Sequence, residues 1–250
     1  MELKIYASDI KEAYRKLKHF LYYDNTNILF RKQIAEFESN KNLDEVFQKL
    51  ESELDRYVYS RTLSPFFQEL MNQIDYWILP KGFLKTEPEE KSAILTNKDF
   101  DKKIKINKAF YLVKVPIELH LISVLWVMKV GYILESSIEP APYGNKLQLK
   151  EKGQGVVNGL KLFKPYFREY QKWRDKAISA AKNLIVNEKV DVAIVGMDVK
   201  NYFDSVQLDF NDLVYNLNSL HKEKDFNLKN YDILTSLLKE IHLQYYNQHH

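Results

Sequence analysis

The sequence predicts an α+β chain, with a mostly helical N-terminal lobe followed by a part that carries strands. Three observations lead there. Apolar residues recur at helical spacing through much of residues 1–80. With 45% apolar and 14% aromatic residues the chain has ample material for burial, yet 7 glycines and 7 prolines in 250 residues are few for an all-β chain built on tight turns. Two short runs, one alternating and one apolar on both faces, read as strands. The length exceeds that of a typical single domain, so three regions are expected: a helical region at 1–80, a region with irregular connections at 81–165, and a third at 166–250.

In chain order, Ile10, Tyr14, Leu17 and Leu21 fall on one helical face behind Ser8 and Asp9 as caps. Leu43, Val46, Phe47, Leu50, Leu54 and Tyr57 form the cleanest 3.6-residue stripe. A third helix is expected from Pro65 through Phe66, Phe67, Leu70, Ile74 and Trp77, ended by Pro80 and Gly82. Residues 81–108 are charged, contain Pro88, and read as a connection. Ala109, Tyr111, Val113 and Val115 alternate with Phe110, Leu112 and Lys114 as a strand that stops at Pro116.

Ile117–Leu134 is strongly apolar but interrupted by Glu118, His120, Ser123, Lys129 and Gly131, groups that are costly in lipid, so a buried helix is expected. Residues 140–165 hold Gly144, Gly153, Gly155 and Gly159 among lysines and read as irregular or as a loose hairpin. Tyr166, Tyr170, Trp173, Ala177, Ala181 and Leu184 mark a long helix, with Arg168, Lys172, Arg174, Lys176 and Lys182 on its other faces. Val190–Val199, apolar except at Asp191 and Asp198, reads as a central strand covered on both sides. Ile233, Leu237, Leu238, Ile241 and Tyr245 mark a final helix.

Composition excludes several classes. Without cysteine there is no disulfide framework, zinc finger, iron–sulfur site or cysteine nucleophile, and a reducing cytoplasmic home is expected. The start of the chain is charged from residue 2 and lacks the apolar core of a signal peptide. A net charge of +3 speaks only weakly for a nucleic-acid partner, because binding depends on local charge. No Gly-x-Ser-x-Gly or kinase signature supports a hydrolase or a kinase.

The informative segment is Met197-Asp198-Val199-Lys200-Asn201-Tyr202-Phe203-Asp204-Ser205-Val206. A carboxylate at the end of a strand supplies the hard oxygen that Mg²⁺ or Mn²⁺ prefers. An aromatic five residues later can floor a sugar pocket and collide with a ribose 2′-hydroxyl. Taken alone, an Asp in that place is more often a cap or turn residue; the adjacent aromatics and the Asp-Ser that follows favour the metal-binding reading.

This segment resembles motif A of RNA-directed DNA polymerases, the group that includes group II intron, retron and phage-defence enzymes. The resemblance implies that Asp198 is the catalytic, first metal-binding aspartate, that the carbonyl of Val199 also touches metal, and that Phe203 is the sugar-gate aromatic. Phe110-Tyr111-Leu112-Val113-Lys114-Val115-Pro116, Tyr143-Gly144-Asn145-Lys146-Leu147 and Pro165–Ala177 are similar to upstream segments of abortive-infection-type defence reverse transcriptases, so the likeness covers about residues 105–215. It implies fingers and a partial palm of a right-hand polymerase and addition of dNTPs to a primer in antiviral defence. The partners it implies are RNA or DNA, dNTPs, a noncoding RNA and further copies of the chain, with no membrane.

The sequence also departs from that family. Its usual fingers pattern of lysine, glycine and arginine is absent, which leaves Lys108, Lys114 and Lys146 as substitutes for triphosphate binding. No Tyr-x-Asp-Asp segment or Asp-Asp pair occurs, and no Gln-Gly follows Asp198. The expectation is therefore an incomplete polymerase, inactive alone. Its rivals are a non-catalytic RNA-binding or scaffold protein with a polymerase-like fold, and a helical protein-interaction module.

Overall fold

The computed structural model describes residues 4–23, 27–83, 106–135, 137, 144–197, 208–224 and 231–247. The order begins with α1 (Ala7–Tyr23), α2 (Ile28–Asn40), α3 (Leu43–Ser60) and α4 (Pro65–Asn72). An antiparallel ribbon of β1 (Asp75–Phe83) and β2 (Ile106–Lys114) follows. Next comes α5 (Ile117–Trp126), which runs through a wide turn at Val127–Gly131 into the short α6 (Tyr132–Glu135). The rest is α7 (Tyr166–Asn183), α8 (Phe210–Lys224) and α9 (Tyr231–Asn247). The mixed α+β class is therefore met, with helix dominant and a sheet of two strands among the described residues.

The N-terminal helices begin and end where local chemistry directs. Asp9 lies inside the first turn of α1 and accepts the Tyr6 amide at 3.0 Å, while Ser8 is already helical, so one of the two expected caps acts. Asn42 caps α3 by accepting the Asp44 amide at 3.2 Å, and Asp44 and Glu45 complement the positive end of the helix. Arg61 ends α3 in the left-handed conformation, φ 55°, donating its amide to the Tyr57 carbonyl at 2.9 Å. The α2 helix, with only Ile34 and Phe37 buried, has too short a stripe to stand out in sequence.

The α4 helix starts as expected behind Ser64 and Pro65 but stops at Asn72. Ile74 and Trp77 only mimic a helical period. The run Asp75-Tyr76-Trp77-Ile78-Leu79 is β-prone and pairs residue for residue with Phe110–Lys114, which outweighs the helical alternative. Pro80 and Gly82 do not end a helix; they mark an irregularity in β1, where the register shifts. The expected strand at 109–115 is present and starts earlier, at Ile106. The ribbon thus claims both ends of the stretch read as a connection, whose residues 84–105 lie outside the described set.

The core centres on α5, clasped by α1, α2 and α9. Leu119, Leu121, Ile122 and Leu125 are fully buried, each contributing about 1.5–3 kcal/mol relative to exposure. The polar residues that interrupted this stretch are matched one by one. Glu118 takes Lys41 Nζ at 2.5 Å, Lys129 Nζ reaches Asp9 at 2.6 Å, Ser123 donates to the Leu119 carbonyl at 3.3 Å, and the His120 ring packs on Phe30 with centroids 4.3 Å apart. Trp126 donates its indole N–H to Thr235 at 3.0 Å, tying α5 to α9. By length and composition Ile117–Glu135 could cross a membrane, but 61% of its most apolar window is buried inside the protein, as a core helix requires.

Between residues 166 and 197 the expected long helix is present as α7, and the expected central strand is corrected. The aromatic stripe that marks α7 is not buried: Tyr166, Tyr170 and Trp173 are 76%, 57% and 53% exposed, and the buried residues of this helix are Glu169 and Ala181. The described part of the expected central strand, residues 190–197, is neither paired nor covered, with Val195 76% and Met197 92% exposed. A strand apolar on both faces forms only between neighbouring strands and under covering layers. Among the described residues the only sheet is the β1–β2 ribbon, and it does not take up this run.

Candidate functional site

Asp198, Val199 and Phe203 lie outside the described residues, as does the whole of 198–207. The described chain reaches them through a second wide turn, Leu184–Glu188, then Lys189 in the left-handed conformation at φ 53°, then the run 190–197, which forms no regular secondary structure. Among the described residues no three His, Asp or Glu side chains gather closely enough to hold a metal ion.

The two lysines assigned to substrate stand on different elements. Lys114 is the last residue of β2, exposed, opposite Asp75 in the ribbon. The next residue, Val115, is buried, and its carbonyl accepts Gln33 Nε2 at 2.6 Å, so the base of the ribbon is pinned to α2. Lys108, exposed on the same strand, faces Gly82. No hydrogen bond or ion pair among the described residues joins Lys114 to Lys146.

Lys146 is set by the irregular segment 144–165. Asn145 turns the chain at φ 51°, and a short ladder follows: the Lys164 amide donates to the Lys146 carbonyl at 2.7 Å, Gln148 to Leu162 at 2.9 Å, and Val157 to Gln148 at 2.9 Å. Leu147, Val156 and Leu162 anchor this ladder in the core. The ladder ends at Pro165, which opens α7, so Lys146 and Lys164 arrive beside the first turn of that helix. There Glu169, 6% exposed, accepts Lys172 Nζ at 2.7 Å. That hydrogen bond, with the fields of Lys172, Lys164 and Lys146, holds the Glu169 carboxyl below its ordinary range against the opposing effect of burial.

A second lysine, which sequence reasoning passed over, locks this segment from behind. Lys16 of α1 is completely buried and donates to three backbone carbonyls, those of Val157, Gly159 and Lys161, at 2.7, 2.8 and 2.9 Å. Glu12 lies 3.4 Å away. Burial pulls the Lys16 pKa down, and Glu12 partly offsets this. The three bonds use every N–H of the ammonium. The only signal in sequence is that Lys16 falls between Ala13 and Leu17 on the edge of the buried face, a place where a long charged side chain normally reaches water.

Around these parts α7 presents an open face. Tyr170 and Trp173 lie with ring centroids 5.4 Å apart, and the Arg168 guanidinium sits 5.9 Å from the Phe167 ring. Arg174 pairs with its neighbour Asp175 at 2.8 Å. Aromatic faces interleaved with cations can stack on bases and neutralise phosphates. In comparisons with known proteins, the chain matches no family model, no curated protein and no solved structure.

Proposed function

We propose that this chain carries the fingers and the first palm segment of an RNA-directed DNA polymerase of the antiviral-defence type, which adds dNTPs to a primer. The observation that carries the reading is the segment Asp198-Val199-Lys200-Asn201-Tyr202-Phe203-Asp204-Ser205-Val206. Its donors, a carboxylate and a backbone carbonyl, are hard oxygens of the class that Mg²⁺ or Mn²⁺ takes. When bound, such ions activate the primer hydroxyl and steady the leaving pyrophosphate. Asp198 holds the metal, Phe203 floors the sugar pocket, and Lys114 and Lys146 meet the triphosphate. The exposed aromatic and basic residues of α7 support a nucleic-acid partner.

A second reading, a non-catalytic RNA-binding protein, is favoured by that same helix face, which needs no chemistry to hold a strand, and by the absence of any Asp-Asp pair. The deciding assay is dNTP incorporation with Mg²⁺ by the complete gene product and by its Asp198→Ala variant. Asp198→Ala should abolish synthesis; synthesis at the wild-type rate overturns the assignment. A wild-type protein that retains RNA in a salt-dependent manner but incorporates nothing establishes the second reading instead.

A further inference from the structure

We propose that Lys146, Lys164 and Lys172, gathered around Glu169 at the start of α7, form a binding site for a chain of phosphates. This deepens the polymerase reading by adding Lys164, Lys172 and Glu169 to the one residue, Lys146, that sequence pointed to.

The charges do not balance. The positive charges of Lys146, Lys164 and Lys172 all act on the one Glu169 carboxylate, and that carboxylate is already bonded to Lys172 at 2.7 Å. Lys146 and Lys164 form no ion pair among the described residues. Their backbones are tied side by side, because the Lys164 amide donates to the Lys146 carbonyl at 2.7 Å. Glu169 itself is buried and bonded to Lys172, so it leaves the charges of Lys146 and Lys164 uncompensated.

The helix adds to this field. Pro165 at the N-cap offers no side-chain hydrogen bond to the 18-residue α7. Within the helix, the first amide to find an acceptor is that of Arg168, which donates to the Pro165 carbonyl at 3.1 Å. The positive end of the helix dipole therefore points to the same place. Finally, the site is preorganised: Lys16 clamps the carbonyls of 157, 159 and 161 from inside, so the strand that bears Lys164 is fixed before any ligand arrives. Surplus positive charge on a rigid frame suits a polyanion of closely spaced phosphates, either the tail of a nucleoside triphosphate or successive phosphates of a strand.

The test is calorimetric titration with sodium tripolyphosphate at low salt, followed by a dNTP and by an oligothymidylate without terminal phosphate. Wild type should bind tripolyphosphate, and Lys164→Ala/Lys172→Ala should weaken binding at least tenfold. Lys182→Ala, at the far end of the same helix, should leave it unchanged. Circular dichroism checks the fold, and Lys164→Gln serves where the double variant fails to fold. No binding by wild type, or an equal loss in Lys182→Ala, overturns the site. Competition by the dNTP assigns it to free triphosphate; competition by the oligonucleotide alone assigns it to a strand. Binding by the chain with no dNTP incorporation by the complete gene product sinks the polymerase reading and leaves the site standing. Synthesis with an unchanged KM for dNTP in the double variant excludes the site from the reaction.

Discussion

Replacing Lys16 by Met tests how the helical lobe holds the segment that carries Lys146 and Lys164. Methionine keeps the length and packing but removes three donors, at 2.7, 2.8 and 2.9 Å. Hydrogen bonds from a charged donor contribute about 1.5–3 kcal/mol each, so the gross loss is about 4.5–9 kcal/mol. Two effects reduce it. The buried ammonium carries a desolvation penalty that disappears with it, and the backbone at Gly159 and Lys161 is exposed enough to turn to water. The net expectation is a loss of about 3 kcal/mol, near the lower end of what breaking a buried charged network costs.

Urea unfolding followed by circular dichroism measures that loss, and hydrogen exchange of the Val157 amide, bonded to Gln148 at 2.9 Å, reports whether the ladder opens. The pH dependence gives a second readout. Because burial lowers the Lys16 pKa, the unfolded chain holds this proton to higher pH than the folded one. Between the lowered folded value and the ordinary lysine value the unfolded state binds more protons, so wild-type stability relative to Lys16→Met should rise as pH climbs. A loss below about 1 kcal/mol with unchanged exchange at Val157 would refute the clamp.

Three other outcomes are expected. Burial pushes the pKa of His120 down to about 4, so the neutral ring stabilises the fold fully above pH 6.5 and that contribution is lost as pH falls toward 4. Between pH 7 and 4.5 wild type should lose about 2.5 kcal/mol more than His120→Phe in urea unfolding, and parallel losses would exclude a neutral His120. Gly131→Ala places a Cβ 2.8 Å from Trp126 Cζ3, so the indole must shift off Thr235; the expected cost is about 1–3 kcal/mol with altered tryptophan fluorescence, and wild-type stability would show that the turn yields freely. Phe203→Ala should raise ribonucleotide incorporation relative to deoxynucleotide, and unchanged discrimination in a folded protein would remove Phe203 from the sugar pocket.

The sequence by itself determined the elements whose period and boundaries agree. The stripe from Leu43 to Tyr57 became α3 with Phe47, Leu50 and Leu54 buried, and Ile117–Leu134 became the core helix despite its five interruptions. The charged interruptions were legible as such, but their partners were not: Lys41 for Glu118 lies 77 residues away and Asp9 for Lys129 lies 120. The same limit hid Lys16, whose three acceptors are backbone carbonyls more than 140 residues on and leave no residue-type signature. Only the tertiary structure decided that Trp77 belongs to a strand, because its pairing partner Leu112 outweighs a helical period. It also decided that the apolar faces of α7 and of 190–197 stay open, because hydrophobic pattern records what a segment could bury and only the assembled neighbours determine what covers it.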